Sequence, residues 1–212
     1  LTLEPFTIWE GVAAPMLRPN IDTDAIIPSR EMKRVSKLGL GDGLFASERY
    51  LSAAGSDDRR EENPEFVLNH PAYRDCSILL AGSNFGCGSS REHAVWALKE
   101  FGIRAILAAG FGTIFANNCV RNGLLPVVLA GEDIQRLADW VAADPQGNRV
   151  RIDLPEQRVT GADCSLDFDI DDGPKTMLLH GLDAIALTQE RGEVIASFDR
   201  RRRSERPWLY RS

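Results

Sequence analysis

The segment Gly82-Ser-Asn-Phe-Gly86-Cys87-Gly88-Ser89-Ser90-Arg91-Glu92-His93 gathers the residues of this chain best suited to chemistry. Glycines let the backbone turn tightly and leave amide N–H groups open to a ligand, and a helix beginning near Glu92 adds the positive end of its dipole. Two adjacent hydroxyls, Ser89 and Ser90, exceed what a single helix cap needs. Arg91 is a cation placed where the dipole disfavours one unless an anion offsets it. The amides of Gly86 and Gly88, two hydroxyls and a guanidinium at one strand end together suit a carboxylate or a phosphate. A simpler account also stands at this level. Ser89 or Ser90 caps the helix, Glu92 complements its dipole, and no chemistry follows.

Other patterns carry less. Asp22-Thr23-Asp24, after Arg18-Pro19-Asn20 and before the apolar Ala25-Ile26-Ile27-Pro28, reads alone as a turn held by Asx hydrogen bonds. Gly86-Cys-Gly88-Ser-Ser-Arg91 lacks the third glycine of GxGxxG, the next apolar run ends in Ala108-Ala109-Gly110 with no acid for a ribose, and no P-loop is present. Asp167, Asp169 and Asp171 resemble the start of a calcium loop, but Asp172 stands where that loop needs glycine and Leu178 where it needs an acid. A solvated strand face is the better reading. Cys76, Cys87, Cys119 and Cys164 form no CxxC pair, and His70, His93 and His180 have no ligand-like company, so no metal site or cofactor is expected in this chain.

These residues need elements to position them. Residues 76–81 are a short apolar run suited to a buried strand, and residues 92–101 place Ala94, Val95, Leu98 and Phe101 at helical spacing. Residues 104–109 read as a second strand. Thr113 is placed to cap a helix through Arg121, with Gly123 in its C′ region, and residues 126–129 make a third strand. Strand, helix, strand, helix, strand implies a parallel α/β layer. An amphipathic helix over 132–143 follows, then strands over 149–154, 158–160 and 164–170, and helical segments from 174 to about 200. Residues 1–75 are rich in turn formers. Within them, residues 33–43 and the hydrophilic stretch 52–63 read as a mobile, exposed loop region spanning 33–63.

Hydrophobic residues make up 43% and charged residues 26% of the 212, as in an ordinary soluble globular chain. No apolar run approaches the ~20 residues of a membrane helix, and the first residues lack the pattern of a signal peptide. A formal net charge of −6 argues against a general nucleic-acid binder. Reduced thiols in a cytoplasmic protein are the simplest account of the cysteines. Arg200, Arg201, Arg202, Arg203, Arg206 and Arg211 make the C-terminus basic. It reads as a solvated, partly disordered tail, with contact to an acidic partner as the alternative.

Asn84-Phe-Gly-Cys-Gly-Ser-Ser-Arg-Glu-His93 resembles the signature of the small subunits of the isopropylmalate isomerase family, which are similar to the swivelling C-terminal domain of aconitase. The likeness continues through Ile21-Asp-Thr-Asp-Ala-Ile-Ile-Pro28, Phe66-Val-Leu-Asn69, Asn122-Gly-Leu-Leu-Pro126 and His180-Gly-Leu-Asp-Ala-Ile-Ala-Leu-Thr188. The resemblance implies a three-layer β/β/α swivelling domain over the whole chain. It implies hydro-lyase activity, with a large-subunit partner carrying a [4Fe-4S] cluster and a small hydroxy-dicarboxylate as substrate. By the same match Ser89 is the base, Ser90 and Arg91 hold a substrate carboxylate, and Asp24 is an active-site carboxylate. Gly86 and Gly88 supply anion-stabilising amides, and Arg34 matches a second substrate arginine by approximate spacing. One departure stands out: family members often place a bulky apolar residue near the position of Glu31, where this chain reads Ser29-Arg30-Glu31-Met32. That polarity leaves room for a related substrate, a methylated malate or homoaconitate. A stand-alone anion- or nucleotide-binding module is the alternative of a different class.

Overall fold

The computed structural model describes residues 3–32, 39–51, 60–89, 91–189 and 191–210. Its centre is a curled sheet of seven strands in the order β4-β3-β2-β1-β5-β6-β7. The two most apolar strands, β2 (Cys76–Ala81) and β3 (Ala105–Ala108), lie side by side in parallel, and every side chain of β3 is fully buried. Such continuous apolar runs suit parallel strands covered on both faces. Parallel strands also need long crossovers. Helix α3 (Glu92–Phe101) supplies the one from β2 to β3, and α4 (Thr113–Arg121) the one from β3 to β4 (Leu125–Val128). Helix α5 (Gly131–Ala143) turns Ile134, Leu137, Ala138 and Val141 inward and lies across the central strands. This is the parallel α/β layer expected from the sequence.

A central strand was not expected. β1 (Ile8–Met16) pairs in parallel with β2 through Val12–Met16 and antiparallel with β5 (Val150–Asp153) through Ile8–Gly11. Gly11 and Pro15 interrupt its apolar pattern, and both have physical reasons. A Cβ on Gly11 would lie 2.1 Å from Ser77 Oγ, the atom that accepts a hydrogen bond from Trp9 Nε1 at 2.8 Å. Pro15, which has no N–H, sits in the half of β1 that is paired on the β2 side alone. The sheet then continues as an antiparallel meander, β5, β6 (Arg158–Gly161) and β7 (Cys164–Asp167). The acidic stretch after β7 is not a longer strand: Asp167 ends it, and buried Phe168 donates its N–H to Gln157 O instead.

Between β1 and β2 lie two one-turn helices, α1 (Thr23–Ile26) and α2 (Ala46–Arg49), and several 3-10 turns. Within the region 33–63, residues 39–51 are packed: Leu40, Leu44 and Phe45 have no exposed surface, and Phe45 donates its N–H to Ile26 O at 2.7 Å. Burying each such side chain contributes roughly 1.5–3 kcal/mol, enough to hold that stretch in place. Residues 33–38 and 52–59 lie outside the described residues. The C-terminus also differs from expectation. After α6 (Asp172–His180) and α7 (Ala184–Gln189), residues 200–203 belong to α8 (Gly192–Glu205), which is followed by a 3-10 turn at Pro207–Tyr210. Arginine is a good helix former, and Asp199 ties the end together by pairing with Arg203 at 2.8 Å and accepting from Tyr210 Oη at 3.1 Å.

Candidate active site

The polar motif sits where two chain segments run side by side. Residues 83–87, leaving β2, lie along residues 20–23: Asn20 N–H donates to Ser83 O (2.9 Å), Gly86 N–H to Ile21 O (2.7 Å) and Thr23 N–H to Cys87 O (3.1 Å). The side chains of Asn84 and Asn20 join them at 2.8 Å. Thus the second polar cluster, a mere turn by local pattern, is carried to the glycine turn. Asp22 makes the expected Asx bond, accepting from Ala25 N–H at 2.7 Å, which leaves Asp24 for another partner. Gly86 is held at φ +71°, and a Cβ there would meet the ring of buried Phe115 at 2.1 Å. Its amide is not open to an anion, contrary to expectation, because Ile21 O already accepts it. Gly88 also takes a left-handed φ, +87°, and is exposed.

Ser89 is exposed just before α3. The residue that starts the helix is Arg91, where a serine cap was expected: its φ/ψ are extended, −111° and 129°, and it makes no side-chain cap bond. The reason is tertiary. Arg91 reaches across to the neighbouring segment, where Nη1 donates to Asp24 Oδ1 at 2.5 Å and to Ser29 Oγ at 2.9 Å. Ser29 in turn donates to Asp24 Oδ1 at 3.2 Å. The anion that offsets Arg91 in this structure is therefore Asp24, and Asp24 meets Arg91 where a substrate contact was expected. Ser29, marked in the sequence only as part of the polar stretch 29–32 and not as a site residue, belongs to the same group. Its separation from Arg91 is 62 positions, and no local pattern signals it. Ser90 and Arg34 lie outside the described residues.

A second layer of contacts fixes α3. Asn122, the C-cap of α4, donates from Nδ2 to Glu92 Oε1 (2.8 Å) and accepts on Oδ1 from Trp96 Nε1 (3.0 Å), while its carbonyl accepts from Lys99 Nζ. Thr113, expected to cap α4, is its first residue; Gly112 is the N-cap and makes no side-chain cap bond. At the other end of α3, Glu100 accepts the backbone N–H groups of Gly39, Leu40 and Gly41 at 2.6, 2.5 and 2.8 Å. Desolvation alone raises the pKa of that carboxyl, but the three N–H bonds together hold it below its ordinary value. Glu31, whose polarity looked like a change in the substrate pocket, is committed elsewhere. It pairs with Arg60 at 2.6 Å and Arg30 at 3.3 Å, and its side chain is 13% exposed.

The thiols are dispersed. Burial pushes Cys76 up to about 12 and Cys119 well above its usual range, so neither is a ready thiolate. Among the described residues no three His, Cys, Asp or Glu side chains are grouped to hold a metal, and no helix is long and apolar enough to cross a membrane. A cavity of 650 Å³ between the end of β4 and the region after β7 is walled by Val128, Leu166 and Phe168, away from the motif. Asp24, Ser29 and Ser89 are instead exposed on an open surface.

Comparison with known proteins decides the family. A model of the aconitase C-terminal domain matches residues 3–132, the stretch from before β1 to the start of α5. The chain is 60% identical over 209 residues to the 3-isopropylmalate dehydratase small subunit of Cupriavidus necator, covering 98% of this chain and 99% of that protein. This chain belongs to the 3-isopropylmalate dehydratase small-subunit family. The small subunit of Xanthobacter autotrophicus is 48% identical, again over 98% of this chain, and spans 100% of that relative. A crystal structure titled 3-isopropylmalate dehydratase, from Methanocaldococcus jannaschii, superposes with a TM-score of 0.62 at 24% identity. It covers 90% of this chain and 98% of its own, and it speaks to the fold alone. The family of the resemblance and the mixed α/β fold are thus both found. The nucleotide-binding module loses its ground.

Proposed function

We propose that this chain is the small subunit of a cytoplasmic 3-isopropylmalate dehydratase, acting in leucine biosynthesis and contributing half of an active site. The observation that carries the reading is the exposed start of α3, where Arg91 pairs with Asp24 two residues after exposed Ser89, on a surface open to a second protein. A large subunit completes the site and brings the [4Fe-4S] cluster. The donors in this chain do not fit such a group, since two of the four cysteines are buried and no close set of ligands exists among the described residues. The steps assigned here are therefore proton transfer and carboxylate binding.

In 2-isopropylmalate, Ser89 takes the proton from the carbon next to the hydroxyl-bearing one. The freed electron pair forms the carbon–carbon double bond, and the hydroxyl departs with its own pair on the side of the partner. Water then adds in the opposite sense to give 3-isopropylmalate, with Ser89 returning a proton to carbon. A serine hydroxyl is far too weak an acid to ionise freely at neutral pH, so the site must favour the alkoxide. The positive end of α3 and the guanidinium two residues on provide that field. Arg91 and Ser90 hold a substrate carboxylate, and Gly88 shapes the turn that presents Ser89. Arg34 is a second arginine for the substrate. Asp24 is the counter-ion of Arg91, because a carboxylate placed directly against a dicarboxylate would repel it. The alternative substrates rested on the polarity near Glu31; its pairing with Arg60 and Arg30 supplies a structural reason for that residue, and the relatives named 3-isopropylmalate dehydratase small subunits favour isopropylmalate.

The test is an assay on 2-isopropylmalate with and without a cluster-bearing large subunit. Turnover is expected only from the reconstituted pair. Turnover by this chain alone would falsify the half-site reading.

A further inference from the structure

We propose that Ser29 is a positioning residue for the carboxylate clamp, fixing together with Asp24 the direction in which the Arg91 guanidinium faces. This rests on the reading of Arg91 as the clamp. A guanidinium Nη1 carries two N–H groups, and both are engaged here, one on Asp24 Oδ1 at 2.5 Å and one on Ser29 Oγ at 2.9 Å. The group is planar, so two bonds diverging from one nitrogen set its plane and its rotation. The remaining donors lie on the edge formed by Nε and Nη2, which presents two parallel N–H groups matched to the two oxygens of a carboxylate. With Ser29 absent, one bond to Asp24 leaves the plane free to turn about it.

Ser29 suits this task by chemistry and by placement. Its hydroxyl accepts from Arg91 and donates to Asp24 Oδ1 at 3.2 Å, closing a triangle that only a group both donor and acceptor can close. It opens the 3-10 turn Ser29–Met32, and that turn is anchored before and within its span. Before it, Ile26 and Ile27 have no exposed surface; within it, Glu31 pairs with Arg60 at 2.6 Å. Arg30 adds a bond to Ser47 Oγ at 3.1 Å. The hydroxyl is therefore delivered to Arg91 by a held segment. Stability is not what the triangle supplies, because the side chains of Arg91 and Asp24 are 29% and 55% exposed and solvent screens such a pair. Its value lies in orientation, which pre-forms the clamp before substrate arrives.

The experiment uses the complex reconstituted with the cluster-bearing large subunit. Ser29→Ala is expected to raise the KM for 2-isopropylmalate about tenfold while kcat stays within about threefold, and Ser29→Thr, which keeps the hydroxyl, to return KM to within about twofold. On an Arg91→Ala background, Ser29→Ala is expected to add nothing, since Ser29 acts through that guanidinium. An unmoved KM in Ser29→Ala overturns the inference, as does a further rise on the Arg91→Ala background. A joint fall of kcat and melting temperature with no recovery in Ser29→Thr overturns it too, by marking a structural role. If Arg91→Ala itself leaves KM unchanged, the clamp reading falls and this inference with it. A large effect of Arg91→Ala beside a silent Ser29→Ala removes the inference alone.

Discussion

Two glycine turns leave the same end of the parallel sheet and enter helices of nearly equal length, yet only one carries charge. The turn after β2 spans residues 82–91 and leads into the ten residues of α3; the turn after β3 spans residues 109–112 and leads into the nine of α4. They touch: Phe85 bridges Phe111 in parallel, Gly112 N–H donates to Phe85 O at 2.9 Å, and neither helix has a side-chain cap bond. A glycine turn at a helix start is therefore not in itself a site. What separates them is the extra length of the first turn, which carries Ser89 and Arg91, and the segment 20–29 beside it, which brings Asp24 and Ser29. The second turn acts as a floor, with Phe115 of α4 filling the space that Gly86 leaves open.

The contrast is sharpest in turnover. Ser89→Ala is expected to lower kcat of the reconstituted complex by about 10²–10⁴-fold, the usual contribution of a positioned base. Thr113→Ala, at the first residue of the helix after the second turn, should leave initial rates within about twofold, since Gly112 and not Thr113 is the N-cap there. Co-elution with the large subunit checks that both variants assemble. A Ser89 variant with normal turnover would break the comparison outright.

Stability offers the next contrast. Gly86→Ala combines a left-handed φ with a Cβ 2.1 Å from the Phe115 ring, and should cost about 2–4 kcal/mol by urea unfolding. Gly110→Ala in the other turn, whose Cβ would find its nearest neighbour at 3.7 Å, should cost less than about 1 kcal/mol. Equal midpoint shifts would mean that Phe115 yields easily and is no floor. Asn122→Ala removes the link from α4 to Glu92 and Trp96 and is expected to cost about 1–2 kcal/mol, read as a lower melting temperature.

The smallest effect is at the far end of α3. Glu100 has a lowered pKa, so its stabilising contribution is fully present above the ordinary value of 4.5 and fades as pH falls through the depressed one. Glu100→Gln should therefore destabilise by less than about 1 kcal/mol at neutral pH, given the group's exposure. The difference from the parent should vanish in acid, when unfolding is followed across pH. A difference that persists unchanged at low pH would assign the effect to packing.

Much of this was legible in the sequence because it is local. β2 and β3 announce themselves as apolar runs, and Ala94, Val95 and Leu98 mark the inward face of α3 by spacing alone. β1 escaped because Gly11 and Pro15 break the strand pattern for tertiary reasons, a close Ser77 and a half-paired strand, that no window of sequence contains. The motif of the site could be read from residue types, but its wiring could not. Asp24 and Arg91 are 67 positions apart, and their pairing moves the helix start from a serine to the arginine. Glu31 misled for the same reason: its partner Arg60 is 29 positions away, across a stretch that reads as loop.

The double pairing of β1 also sets an order of events. Its second half finds β2 early in the chain, and β1 to β4 with their three crossovers are complete once residue 128 has emerged from the ribosome. Its first half must wait for Val150–Asp153, and at about 5–20 residues per second the backbone of Ile8–Gly11 stays unpaired for some seconds after the rest of the strand has docked. The middle of the finished sheet is thus an open edge while the chain is being made, available to any stray strand in the meantime. Glu10, exposed on that half-strand, places a charge there during the interval.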